Sequence, residues 1–203
     1  MQSTAILEAG VDEAGRGPLA GPVVVAAVIL PARYDLEYLD DSKRITALRR
    51  ARLAPQIERQ AIAYSVEFVE VDEIDRVNIL QATMNGMQRA VENLNPAPQR
   101  AMIDGNRAPA LNCEATTVIG GDRLVASISA ASVLAKVYRD RLMMSMHDLY
   151  PDYGFDRHKG YPTAYHLAQL KTLGACPIHR RSFAPVRNAI QRELLQPHSP
   201  ESR

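Results

Sequence analysis

The run Val23–Leu30 (VVVAAVIL) contains no polar side chain, and five of its eight residues are β-branched. It is too short for a buried helix and too apolar for a strand wetted on one side, so it reads as a strand covered on both faces. A sheet covered on both faces needs helices on each, and the rest of the chain supplies both kinds of element. Ile6–Val11 reads as a strand that ends in the Gly-rich stretch Gly10–Gly21, and residues 64–71 (YSVEFVEV), Ala101–Ile103 and Thr116–Ile119 read as further strands. Thr46 reads as the cap of an Arg-, Leu- and Ala-rich helix that Pro55 is expected to bend or split.

Leu80, Met84, Met87, Val91 and Leu94 recur at intervals of four and three, one face of a helix. The longest helical candidate runs from Asp122 to about Met146, with Leu124, Ile128, Ala131, Ala135, Tyr138 and Leu142 on one face. Its small apolar first half is expected to pack on the sheet and its charged second half to emerge into solvent. Short helices are expected over Thr163–Leu173 and Arg187–Leu195, and the residues from Pro197 are expected to fray. This order of elements predicts an α/β domain with a mixed sheet flanked by helices, followed by a small, basic, helical C-terminal extension.

With 203 residues, 46% hydrophobic and 23% charged, the chain is long enough for one domain with a real core. Cys113 and Cys176 fall in no Cys/His spacing that would make a zinc site or a disulfide framework. The N-terminal residues lack the pattern of a secretory signal, and the longest apolar run, Pro22–Ala32, is about half the ~20 residues of a membrane span. A cytoplasmic protein without a membrane partner is expected. The net charge of +1 hides a split: residues 1–122 carry 12 Lys/Arg against 17 Asp/Glu, while residues 123–192 carry 11 against 4. An acidic cluster able to hold cations beside a basic surface facing a polyanion accounts for that split, although two solvated faces would also produce it.

Three strand exits or helix starts carry carboxylates: Asp12-Glu13, Asp104 and Asp122. Each alone is a turn, cap or strand-exit residue. Taken together, they stand where sites assemble in α/β sheets, and four carboxylates in one cleft repel unless cations sit among them. Oxygen-only ligands favour Mg²⁺ or Mn²⁺ over zinc, and a pair of such ions is the recurring device for phosphodiester cleavage. Neighbouring strand residues point to opposite faces, so the chain is expected to bend at Asp12-Glu13, with Asp12 central and Glu13 offset toward a second ion or a bound water. The Gly15–Gly21 stretch (GRGPLAG) lacks the Lys-Ser/Thr of a P-loop and the spacing of a dinucleotide loop. A nucleotide-cofactor enzyme is therefore disfavoured. Beside the acids, its backbone amides and Arg16 are placed to approach a sugar or phosphate.

Six strings carry a resemblance: GVDEAGRGPLAGPVVVAAVIL (Gly10–Leu30), DSK (Asp41–Lys43), IDGN (Ile103–Asn106), GDRLVASISAASVLAKVYRD (Gly121–Asp140), YGFDRHKGYPT (Tyr153–Thr163) and HRRSFAPV (His179–Val186). In identity and order they resemble bacterial ribonuclease HII across nearly the whole chain. The resemblance implies a ribonuclease H-like fold, with a catalytic domain over 1–146, a basic helical extension over 147–196 and a tail over 197–203. It implies hydrolysis of the RNA strand of RNA–DNA hybrids and nicking 5′ of single ribonucleotides embedded in duplex DNA, leaving 3′-hydroxyl and 5′-phosphate ends. By motif position it places the acidic residues on Asp12, Glu13, Asp104 and Asp122, holding two Mg²⁺ or Mn²⁺ ions. It places the ribonucleotide-sensing residues on Gly15, Arg16, Gly17 and Tyr161, and it implies a monomer.

The 2′-hydroxyl distinguishes RNA from DNA at one nucleotide, and reading it requires a close backbone approach and a polar or stacking partner; glycines and a tyrosine provide both. Lys43, Arg180 and Arg181 read as phosphate contacts. His158 and His179 read as hydrogen-bonding core or surface residues, with nucleic-acid contact as the alternative. Gly120 stands where many relatives carry lysine, Tyr138 replaces a commonly smaller polar residue, and Pro55 interrupts a helix; none of the three touches the acids. The competing reading is a non-catalytic nucleic-acid-binding module whose acids only cap helices.

Overall fold

The computed structural model describes residues 6–36, 39 and 46–195. Lys43 with its DSK motif, and the expected tail from residue 197, lie outside the described residues. Five strands form one mixed sheet in the order β3-β2-β1-β4-β5: β1 (Glu8–Ala14), β2 (Val23–Ile29), β3 (Ala63–Val69), β4 (Arg100–Asp104) and β5 (Glu114–Val118). β1 and β3 flank β2 antiparallel, whereas β4 lies parallel to both β1 and β5. All seven residues of β2 are buried, as an apolar run covered on two faces requires.

The pleat of β2 divides the core. Val23, Val25, Ala27 and Ile29 join Ala9, Val11, Ala82, Met87 and Val91 on the face covered by α3 (Ile79–Glu92). Ala26 and Val28 join Leu53, Ala54 and Ile57 of α1 (Ala47–Gln60) and Ala131, Leu134 and Ala135 of α4 (Ala126–Leu149) on the other. Burying each Val, Leu or Ile contributes roughly 1.5–3 kcal/mol, so both layers are needed to hold the sheet. α4 lies so close to β1 that a Cβ at Gly10 would come within 2.1 Å of backbone atoms of Ser127 and Ile128. Only glycine fits there.

Three expectations are corrected. Pro55 sits inside α1 without dividing it, and Thr46 Oγ1 accepts the Arg49 N–H at 3.3 Å as the helix cap. The helix expected from Asp122 begins four residues later: Gly121–Arg123 is a 3-10 turn, α4 starts at Ala126, and Leu124, expected on the buried face, is 73% exposed. The second half of α4 does not simply emerge into solvent, because Arg139 and Met143 on it are buried. A short helix that the sequence reading missed, α2 (Val71–Val77), follows directly after β3 and takes the residue assigned to the end of that strand.

The C-terminal segment is built from α5 (Phe155–His158), α6 (Ala164–Leu173) and α7 (Ala184–Leu195). It closes around the Gly-rich stretch. Leu19 packs with Leu170, Val186 and Ala189, while Ala20 packs with Met143, Tyr153 and Phe155. Backbone hydrogen bonds run from Leu19 N–H to Gly160 carbonyl, from Gly21 N–H to Ile178 carbonyl and from Arg180 N–H to Leu19 carbonyl, each 2.8 Å. Both cysteines are free thiols. No helix among the described residues is long and apolar enough to cross a membrane.

Candidate active site

The register of the sheet brings Asp12 and Asp104 together. β1 and β4 run parallel with Val11 opposite Ile103, so the next residues along, Asp12 and Asp104, leave the paired region side by side. Asp104 Oδ1 accepts the Gly121 N–H at 2.7 Å, which ties the exit of β4 to the turn carrying Asp122. Asp12 and Asp122 are buried and Asp104 is half-buried. The Asp12 carboxyl is held well above the usual carboxylate range, first by burial and then by repulsion from Glu13, while a hydrogen bond from Ser132 opposes the rise and Asp104 adds to it. Glu13 is also raised, by burial, with Arg16 pulling the other way and Asp104 adding repulsion.

The expected bend at Asp12-Glu13 is absent. β1 continues in regular register with β2 through Ala14, and Asp12 Oδ1 accepts the Glu13 N–H at 2.7 Å. Both carboxylates nevertheless feel Asp104, because the pairing with β4 ends at Val11 and leaves Asp12 and Glu13 beyond that edge of the strand. The four candidate donors are all carboxylates, the chemistry of a hard divalent cation. A cation would also relieve the repulsion that burial imposes on Asp12 and Glu13. The residue types therefore fit Mg²⁺ or Mn²⁺, although no three His, Cys, Asp or Glu groups among the described residues are already closed into a metal-holding arrangement.

A cleft of about 410 Å³ opens beside the acids, lined by Glu13, Gly15, Arg16, Gly17, Ser132, Lys136 and Tyr161 among others. Of the four acids only Glu13 reaches its wall. Arg16 lies 3.4 Å from Glu13 with its side chain 46% exposed, and Tyr161 is 43% exposed. A Cβ at Gly17 would lie 3.6 Å from Tyr161 Cε1, so the loop and the tyrosine ring face each other across the opening.

Two buried arginines that the sequence reading left without this role hold the loop. Arg180 donates from Nε to Gly21 carbonyl at 2.9 Å, from Nη1 to Arg16 carbonyl at 3.0 Å and from Nη2 to Gly15 carbonyl at 2.6 Å. Arg139 donates from Nε to Pro22 carbonyl at 3.0 Å, from Nη1 to Lys159 carbonyl at 3.0 Å and from Nη2 to Ala20 carbonyl at 3.1 Å. Gly15 has φ +99°, and a Cβ there would strike Arg139 Nε at 2.0 Å. This overturns the reading of Arg180 as a phosphate contact: it is fully buried, and loop carbonyls take its guanidinium. Burial, with the Arg139 guanidinium second, pushes Arg180 down to about 9, still charged at neutral pH. Arg181 is exposed, and its backbone N–H bonds Asp75 at 2.8 Å. Position along α4 was the available signal for Arg139, which follows the buried Ala131 and Ala135 at helical spacing.

His158, His166 and His179 form a ring cluster with Phe155 behind Tyr161, in which His158 stacks on His166 and the other rings meet tilted or edge-on; this agrees with the reading of His158 and His179 as internal hydrogen-bonding residues.

The family model for ribonuclease HII matches residues 9–186. The ribonuclease HII of Bordetella avium is 58% identical over 179 residues, covering 88% of this chain and 89% of that protein. The ribonuclease HII of Xanthomonas axonopodis pv. citri is 58% identical over 194 residues, covering 94% and 80%. Among solved structures, ribonuclease H2 from Pyrococcus horikoshii OT3 aligns with a TM-score of 0.79 at 27% identity over 94% of this chain and 100% of that one. The Bst ribonuclease HIII structure with Mn²⁺ shares the fold, with a TM-score of 0.73 at 16% identity, covering 96% and 72%. With the motifs, the sheet order and the acidic strand exits in place, the chain belongs to the ribonuclease HII family and is a metal-dependent endoribonuclease with an α/β, ribonuclease H-like fold.

Proposed function

We propose that this enzyme hydrolyses the RNA strand of RNA–DNA hybrids and nicks duplex DNA on the 5′ side of a single embedded ribonucleotide, leaving 3′-hydroxyl and 5′-phosphate ends. The observation that carries the reading is that Glu13, whose carboxylate repels and is repelled by the neighbouring Asp12 and Asp104, lines one cleft together with a glycine loop and an exposed tyrosine. Asp12, Glu13, Asp104 and Asp122 would hold two Mg²⁺ or Mn²⁺ ions, which supply an activated water and neutralise charge on the leaving oxygen.

The chain's own groups do the rest. Gly15 and Gly17 allow the backbone of the loop to approach the sugar, while Arg180 on the Gly15, Arg16 and Gly21 carbonyls and Arg139 on those of Ala20 and Pro22 hold the loop from behind. Arg16 takes a backbone phosphate, its charge balanced by Glu13 in the free enzyme. Tyr161 lays its ring against the sugar and offers its hydroxyl to the 2′-OH, the one group that separates RNA from DNA there. Lys43 and Arg181 supply further phosphate contacts. The protein works as a cytoplasmic monomer on a 1–146 catalytic unit whose cleft is completed by the segment after it.

The test is cleavage of a duplex carrying one ribonucleotide beside its all-deoxy control, with and without chelator. Chelator-sensitive nicking 5′ of the ribonucleotide and none of the control is expected. Binding without cleavage in Mg²⁺ and in Mn²⁺ would favour the non-catalytic module instead.

A further inference from the structure

The imidazole pair behind Tyr161 forms a hydrogen-bonded chain with a fixed direction. His166 Nδ1 lies 2.9 Å from Tyr161 carbonyl, His166 Nε2 lies 3.0 Å from His179 Nε2, and His179 Nδ1 receives the Cys176 N–H at 3.0 Å. A carbonyl only accepts, so His166 must carry its proton on Nδ1 and leave Nε2 bare. His179 must then donate from Nε2, which leaves its Nδ1 as the acceptor that the Cys176 N–H requires. The Cys176 carbonyl is already served by the His179 N–H at 3.0 Å. The Tyr161 end dictates these tautomers, and the shortest contact at the other end, the Cys176 N–H, agrees with them; His179 Nδ1 also lies 3.1 Å from Cys176 Sγ and 3.3 Å from Cys176 carbonyl.

The setting keeps both rings neutral. His166 and His179 are buried, and burial is the first cause that lowers the pKa of each, His179 to about 4. A proton added to His166 would set two N–H groups against each other across 3.0 Å, and one added to His179 Nδ1 would face the Cys176 N–H. His158 stacks on His166 with ring centroids 4.5 Å apart, and its own Nδ1 receives the Gly160 N–H at 3.2 Å. The exposed tyrosine and the residue before it are thus anchored: Gly160 by His158, and the Tyr161 carbonyl by His166 and by the Thr163 N–H at 2.8 Å.

We infer that His166 and His179 are positioning residues for ribonucleotide selection, acting as a one-way imidazole relay that fixes the Tyr161 backbone and so the tilt of its ring over the cleft. The inference rests on the proposed role of Tyr161 at the sugar. Neither histidine lines the cleft or meets substrate; their effect passes through Tyr161 alone.

Two experiments on the full-length enzyme test it. The first is ¹⁵N–¹H correlation of the imidazole nitrogens at neutral pH. It should find His179 protonated on Nε2 and His166 on Nδ1, and the opposite tautomer at His166 would overturn the relay.

The second is a double-mutant cycle on a duplex with one ribonucleotide, with the thermal midpoint measured for every variant. His166→Phe should lower kcat/KM by roughly 10- to 100-fold, the range expected when a positioned group shifts by a fraction of an ångström to one ångström. His166→Asn, whose amide can still donate to the Tyr161 carbonyl, should recover most of that loss and serves as the readout if the Phe variant does not fold. In a Tyr161→Ala background the His166 substitutions should add nothing. Equal losses in both backgrounds mean a general structural role and overturn the relay while leaving the tyrosine reading intact. An inert Tyr161→Ala overturns the tyrosine reading, and the relay inference with it.

Discussion

Replacing Arg180 with Met keeps an unbranched apolar stem, two atoms shorter, and removes the clamp. Three loop carbonyls, those of Gly15, Arg16 and Gly21, lose donors that now sit 2.6–3.0 Å away. A buried acceptor left without a partner costs about 1–3 kcal/mol, and water entering the vacated space recovers part of it, so the net loss is about 3–5 kcal/mol. For a domain of this size each kcal/mol moves the thermal midpoint by about 2–4 °C, which predicts a fall of roughly 6–20 °C. Arg180→Lys keeps the charge but not the planar fork and should fall between wild type and Met. Cleavage should decline with both variants even well below their midpoints, because the loop amides facing the cleft lose their backing. Calorimetry at neutral pH together with kcat/KM at 20 °C measures both effects. A midpoint for Arg180→Met within about 2 °C of wild type would refute the reasoning, since no clamp making three buried hydrogen bonds can be removed for so little.

Asp12→Asn removes a carboxylate whose ionisation burial and neighbouring acids oppose, so without metal the variant should melt higher than wild type at pH 7.5, and it should bind hybrid yet not cleave it. Adding Mn²⁺ should raise the wild-type midpoint and leave Asp12→Asn unmoved; equal shifts would count against ligation by Asp12. Gly10→Ala forces a methyl to within 2.1 Å of the α4 backbone, and as no side chain can rotate away, a loss of about 3 kcal/mol or more in denaturant titration is expected. His179 is held neutral with its pKa lowered to about 4, so the unfolded chain binds more protons between pH 4 and about 6.5. Its contribution is complete above that window and is lost as pH falls through it, by ~3 kcal/mol in all. Unfolding free energies across that range should slope less steeply in His179→Gln, and parallel slopes would dismiss the linkage.

Much of the architecture could be read locally. β2, α3 and the Thr46 cap each declare themselves within a dozen residues, by an unbroken apolar run, a three-and-four spacing and a hydroxyl ahead of a helix. The acids were legible because glycines and strand ends mark where side chains can gather. What escaped depends on distance. Aspartate before a small apolar helix caps an α-helix or enters a 3-10 turn with equal ease, and the bond from Gly121 N–H to Asp104, 17 residues back, settles which. Arg180 was misread because an arginine normally faces water, as its neighbour Arg181 does, and its carbonyl partners lie 159–165 residues away. The bend expected at Asp12-Glu13 was unnecessary because the β1–β4 pairing ends at Val11 and Ile103, a feature of register that no single segment encodes.

The central claim is that carboxylates from β1, from the end of β4 and from the 3-10 turn before α4 close on divalent ions. Crystals of the enzyme grown with Mn²⁺ and a duplex bearing an uncleavable ribonucleotide linkage would test it through anomalous scattering at the manganese edge. Two peaks bounded by Asp12, Glu13, Asp104 and Asp122, with the scissile phosphate between them, are the predicted result. Peaks elsewhere on the protein, or none with the duplex seated in the cleft, would contradict the account.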